Sequence, residues 1–134
     1  GWAYGPESVI DALHRTRGPF NVSAVSQAAG IAAINDDVFQ AKSADHNDSE
    51  LLRVKTAVEN AGFKTFPSVG NFVLIEFPED KGRTSAEADA FLRGRGIVIR
   101  DVNVYGLPTC LRASIGTVEQ NDALLAAIEA FSKS

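Results

Sequence analysis

The spacing of apolar and polar residues changes character near Gly62. Before it, apolar residues recur at helical intervals. Val9, Ile10 and Leu13 in "PESVIDALHRT" share one helical face and predict a short helix. Pro6 suits its first turn, and Arg17-Gly18-Pro19 ends it. "SAVSQAAGIAAIND" predicts a second helix with Ser23 as N-cap. Its alanines allow close approach to another backbone. Asp36 is placed to cap a third, longer helix running through Leu51, Leu52, Val54 and Val58 to Ala61. Gly62 fits the stop of that helix. The polar run "SADHNDSE" inside it reads as a solvated face or a local break.

After Gly62 the pattern turns to strands alternating with helices. "FKTF" predicts a short strand. "NFVLIEF", Asn71 to Phe77, is a nearly continuous run of β formers, the pattern of a central strand. "TSAEADAFLRGRG" predicts a helix opened by a capping box of Thr84 and Glu87. "IVIRD" and "CLRASI" predict two strands joined by the loop "VNVYGLPT". "TVEQNDALLAAIEAF" predicts a last helix, opened by a second capping box of Thr117 and Gln120. Strands joined by short loops pair antiparallel most easily. The expected fold is therefore α+β: a small antiparallel or mixed sheet of three to four strands with helices packed on one face.

Charge narrows the partners. A net charge of −4 and a pI near 5.1 leave no basic face for nucleic acid or for an anionic membrane surface. No apolar run is long enough to span a bilayer. The single cysteine, Cys110, excludes an internal disulfide framework and reads as a small buried residue. His14 and His46 have no ligand spacing to each other, to the cysteine or to a carboxylate pair, so no metal site is expected. The absence of methionine and the opening "GWAYGP" lead to the expectation of a piece of a longer polypeptide.

Candidate chemistry centres on two arginines. Arg112 stands in the otherwise apolar run "LRASIGT", where no acidic residue can pair with it. A guanidinium is rarely buried without a partner. Arg100 closes "IVIR", and two neighbouring strands could bring both arginines to one edge of the sheet. Paired guanidiniums bind carboxylate or phosphate. The alternative is that each pairs with a local acid, Arg100 with Asp101 or Glu76 for example. Asn71 could hydrogen-bond a ligand or simply cap its turn. Tyr4 and Tyr105 are loop aromatics that could line a site or pack locally. Trp2 reads as core. Lys133, in a Ser-Lys pair at the chain's end, lacks the dry pocket that a Schiff-base lysine needs.

Several runs, taken in order, carry a resemblance: "GWAYGP", "RGPFNVS", "PSVGNFVLIEF", "GIVIRD", "YGLP" and "LRASIGT". Together they resemble the C-terminal part of the histidinol-phosphate aminotransferase family, pyridoxal-phosphate enzymes of the fold-type I group. The resemblance covers nearly the whole chain. It implies that residues 1–22 end a large cofactor domain and that residues 23–134 form a C-terminal small domain. It implies transamination from histidinol phosphate to 2-oxoglutarate in histidine biosynthesis, in a cytoplasmic homodimer. The family's Schiff-base lysine and a phosphate-binding arginine lie upstream of the matched stretch, so this chain alone is not expected to be active.

By position, Arg112 matches the family arginine that binds the substrate's anionic group, either an α-carboxylate or the phosphate of histidinol phosphate. Arg100 matches a second arginine that helps hold that phosphate, and Asn71 is the third candidate for substrate binding. The same residues would serve an aromatic amino acid aminotransferase or a threonine-phosphate decarboxylase. A non-catalytic domain that binds anions or a protein is the alternative from a different class.

Overall fold

The computed structural model describes residues 4–134; Trp2 and the first half of "GWAYGP" lie outside them. By compactness the chain separates into two units, Gly1–Gln40 and Ala41–Ser134. The division falls inside a helix. It reflects packing within this chain, whereas the boundary expected at 22/23 concerns domains of a longer protein.

The first unit carries α1 (Glu7–Thr16), α2 (Ala24–Ile34) and the start of α3 (Asp37–Asn60). Ser23 caps α2, its hydroxyl accepting the Ser26 N–H at 3.2 Å, and Asp36 caps α3 by accepting the Phe39 N–H at 3.0 Å. Neither α1 nor α2 has a buried residue. Val25, Ile31 and Ile34 of the Ala-rich helix are more than half exposed. Tyr4 is also fully open.

The second unit holds the core. Its elements are the rest of α3, β1 (Lys64–Thr65), β2 (Phe72–Glu76), α4 (Ser85–Arg93), β3 (Arg100–Asp101), a 3₁₀ turn at Asn103–Tyr105, β4 (Cys110–Ser114) and α5 (Val118–Ser132). The strands form one antiparallel sheet in the order β1-β2-β4-β3. Alternation along β2 and β4 puts Val73, Ile75, Leu111 and Ala113 on one buried face. Val54 and Val58 of α3, Leu92 of α4, and Leu124, Ile128 and Phe131 of α5 join them in a single cluster. The helices thus cover one face, and the sheet is antiparallel throughout. Fully burying each such side chain contributes roughly 1.5–3 kcal/mol.

Local signals set the helix ends. Thr84 with Glu87 and Thr117 with Gln120 form both expected capping boxes. Gly62 stops α3 at φ +90°, with the Gly62 N–H on the Glu59 carbonyl and the Phe63 N–H on that of Val58. Two strands are shorter than expected. "FKTF" forms a strand only over Lys64–Thr65, with one further bond from the Phe66 N–H to the Leu74 carbonyl, and "IVIRD" only over Arg100–Asp101. The reason for the second lies in the chain before it. Gly96, at φ +75°, and Ile97 still bond back to Arg93 and Leu92 of α4, so the segment is closing a helix where the sequence reads as strand. The polar run "SADHNDSE" neither breaks α3 nor simply faces solvent. The helix is continuous and turns Glu50 inward. Cys110 is buried, as its context suggests. Among the described residues, no helix is long and apolar enough to cross a membrane.

Candidate anion-binding site on the open sheet edge

The face of the sheet away from the helices carries Phe72 and Leu74 of β2 and Arg112 of β4. Register places Leu74 opposite Arg112 on one side and Arg100 opposite Arg112 on the other. Directly opposed residues of an antiparallel pair have Cβ atoms about 4.5–5.5 Å apart, and like charges there repel. Neither arginine makes an ion pair among the described residues. The local acids that might have neutralised Arg100 are engaged elsewhere. Glu76 pairs with Lys64 at 2.6 Å, and Asp101 accepts the Asn103 N–H at 2.8 Å.

Arg112 is half-buried, its guanidinium carbon 5.2 Å from the centre of the Phe72 ring. Its Nε is buried and has no hydrogen-bond partner among the described residues. An unmade hydrogen bond at a buried polar atom costs about 1–3 kcal/mol, and more at a charged group. Arg83, in the loop before α4, also leaves its Nε unpartnered, but it lies over Phe63 with no second arginine opposite. Two facing guanidiniums without carboxylates make Arg100 and Arg112 the local centre of uncompensated positive charge.

Both arginines line an open groove of about 690 Å³. Its other wall runs from the end of β4 at Ser114 through Gly116 to Gln120 and Asn121 in the first turn of α5. Arg93 also borders it but is paired to Asp89 at 2.7 Å. Asn71 does not line the groove. It is exposed, and its carbonyl accepts the Ile115 N–H at 2.8 Å, extending the β2–β4 ladder by one bond. Tyr105 is exposed in the 3₁₀ turn and lies outside the groove lining.

A buried polar cluster escapes sequence reasoning. Glu50 of α3 and Asn121 of α5 are both buried, and the Asn121 Nδ2 donates to Glu50 at 2.7 Å. Arg53 donates twice to Glu50, at 2.9 and 2.6 Å, and once to Asp122 at 2.7 Å. These bonds, first from Arg53 and then from Asn121, lower the Glu50 carboxyl to a pKa of about 2 against the pull of burial. Asn121 also holds both backbone groups of Gly116, and His46 Nε2 lies 2.9 Å from the Gly116 carbonyl oxygen. The one sequence signal for this cluster is a glutamate and an asparagine on otherwise apolar faces of two helices.

The fold, a four-stranded antiparallel sheet with helices on one face, finds its counterpart in known proteins. The family model for class I and II aminotransferases matches residues 1–128. The chain belongs to the class I and II aminotransferase family. This aminotransferase chain is 47% identical over 133 residues to a histidinol-phosphate aminotransferase from Maricaulis maris, covering 99% of the chain and 37% of that protein. It is 45% identical to the histidinol-phosphate aminotransferase of Paramagnetospirillum magneticum, covering 98% of the chain and 36% of that protein. Among solved structures, the histidinol-phosphate aminotransferase of Sinorhizobium meliloti in complex with pyridoxal-5'-phosphate superposes with a TM-score of 0.77 at 25% identity. That match covers 94% of the chain and 34% of the other. The chain thus spans a little over a third of the length of these relatives.

The aminotransferase chain's own lysines do not fit the covalent anchor of that cofactor. Lys55, Lys64 and Lys133 pair with Glu59, Glu76 and Glu129, Lys42 and Lys81 are exposed, and none lines the arginine groove.

Proposed function

We propose that this chain supplies the substrate-anion clamp of a pyridoxal-phosphate-dependent histidinol-phosphate aminotransferase. Residues 1–22 then belong to the end of the large domain and residues 23–134 to the small domain of a cytoplasmic homodimer. The cofactor is held by parts of the protein outside this chain. Within the chain, Arg112 receives the anionic group of the substrate, and Arg100 adds a second guanidinium from the neighbouring strand.

The observation that carries this reading is the Arg112 guanidinium. It is half-buried with an unpartnered Nε, and another arginine rather than a carboxylate stands opposite it. A substrate anion would supply the acceptors that the neighbouring side chains do not. Phosphate suits the pair, because it offers several acceptor oxygens to two forks at once. The same cations can serve the carboxylates of a 2-oxo acid in the second half of the reaction. Asn71 holds the end of β4 through its backbone carbonyl, which accepts the Ile115 N–H. The relatives' shared name supports the choice of histidinol phosphate over the other branches of the family.

The test is steady-state kinetics of the full-length enzyme with Arg112→Ala. Losing a charge-assisted hydrogen bond of about 1.5–3 kcal/mol raises KM for histidinol phosphate and the inhibition constant of inorganic phosphate by about ten- to a hundredfold. Unchanged values would make Arg112 a structural residue.

A further inference from the structure

We infer that Asn121 and Glu50 are positioning residues for the arginine groove, acting through the backbone of Gly116. This rests on the reading of Arg100 and Arg112 as an anion clamp. Gly116 lies just past the end of β4 and forms part of the groove wall. Its N–H donates to Asn121 Oδ1 at 2.9 Å, and its carbonyl accepts from Asn121 Nδ2 at 3.2 Å. On the other side of the same strand end, the Ile115 N–H is held by Asn71. The exit of β4 is therefore clamped on both flanks. A side chain at position 116 would meet Gln120 Oε1 at 2.5 Å, so the backbone there is packed closely against α5.

An asparagine amide can do this only one way round. With nitrogen and oxygen exchanged, an NH₂ would face the Gly116 N–H, an oxygen would face the Glu50 carboxylate and the Gly116 carbonyl, and three bonds would be lost. Glu50 decides the orientation. Its carboxylate is ionised at neutral pH and only accepts hydrogen bonds, so it takes the NH₂ and leaves the oxygen for Gly116. Arg53, bonded to both Glu50 and Asp122, keeps the carboxylate in place. Residues 71 apart in sequence thus set the backbone four positions beyond Arg112.

The experiment compares variants of the full-length enzyme by KM for histidinol phosphate, kcat, and inhibition by inorganic phosphate. Asn121→Asp places a second carboxylate against Glu50 and removes the donor. KM and the phosphate inhibition constant are expected to rise on the order of tenfold, while kcat changes far less. Adding Glu50→Gln to Asn121→Asp exchanges donor and acceptor. The glutamine NH₂ can then donate to one aspartate oxygen while the other accepts the Gly116 N–H; Arg53 loses one acceptor at position 50 and the Gly116 carbonyl loses its donor, so part of the affinity returns. A merely structural role would give no such recovery in KM. Should Asn121→Asp fail to fold, Glu50→Gln alone is read, with a smaller rise in KM expected. Unchanged KM in a folded variant, or a loss the double substitution does not lessen, overturns the inference. Arg112→Ala separates the two readings: if it leaves phosphate inhibition intact the clamp itself is wrong, and if it weakens inhibition while Asn121→Asp does not, only the positioning role fails.

Discussion

Arg53 and Arg112 are both half-buried arginines of the same compact unit, and they live in opposite surroundings. Arg53 gives its donors to Glu50 and Asp122, at 2.6–2.9 Å, and these bonds raise its pKa further above the ordinary arginine value. Arg112 has no carboxylate partner among the described residues, a buried Nε with nothing to bond, and Arg100 directly opposite. One guanidinium completes a structural corner between α3 and α5. The other is the one that the proposed function assigns to a substrate anion. The difference shows that half-burial alone says little about an arginine's role, whereas the balance of donors and acceptors around it says a great deal.

The contrast is tested most severely on the stability side. Glu50→Ala strips acceptors from Arg53 and Asn121 at once and leaves a buried amide donor unsatisfied, so it costs about 1–3 kcal/mol in denaturant unfolding. Among the described residues Arg112→Ala removes no side-chain hydrogen bond, and it relieves a like-charge opposition. It shifts the same midpoint by less than about 1 kcal/mol. Equal losses for the two variants would erase the distinction.

Acid probes the Arg53 corner separately. The Glu50 pKa is depressed on folding, from an ordinary 4.5 to about 2. Its contribution is fully present above the unfolded value and drains away as pH falls from about 4.5 towards 2. The pH dependence of unfolding should therefore flatten in that window when Glu50→Gln is introduced, and an unaltered slope would contradict the assignment. The smallest effect belongs to Arg100. It is exposed on an edge strand, so Arg100→Ala should weaken phosphate inhibition by less than Arg112→Ala does, about 1 kcal/mol or less. A larger loss at Arg100 would reverse the order of the two arginines.

Much of the fold is legible in the sequence. Gly62 marks the stop of α3 because only a residue tolerant of positive φ closes that motif cheaply. Thr84 with Glu87 and Thr117 with Gln120 announce two helix starts, since each box is closed by residues three apart. "NFVLIEF" declares the central strand by its run of β formers. Of the candidate site, Arg112 is conspicuous as a charge in an apolar strand, and Arg100 as its counterpart. The lengths of β1 and β3 are not legible. A strand ends where its neighbour's pairing ends, and for β3 the closing turn of α4 competes for the same residues. Asn71 reads in the sequence as a ligand donor or a turn cap, and what only the structure adds is that its carbonyl accepts the Ile115 N–H.

The order of the chain alone dictates local features: helix caps, the helix-to-strand change at Gly62, the alternation that buries Val73, Ile75, Leu111 and Ala113, and the family its motifs resemble. Each depends on residues a few positions apart, whose chemistry is written in that order. Tertiary folding adds that Arg100 faces Arg112 across a strand pair, and that Glu50 reaches Asn121 to hold Gly116. Those contacts join residues far apart along the chain. They arise because burying one face of the sheet under three helices brings distant parts of the chain together, and with them the polar groups that happen to lie there.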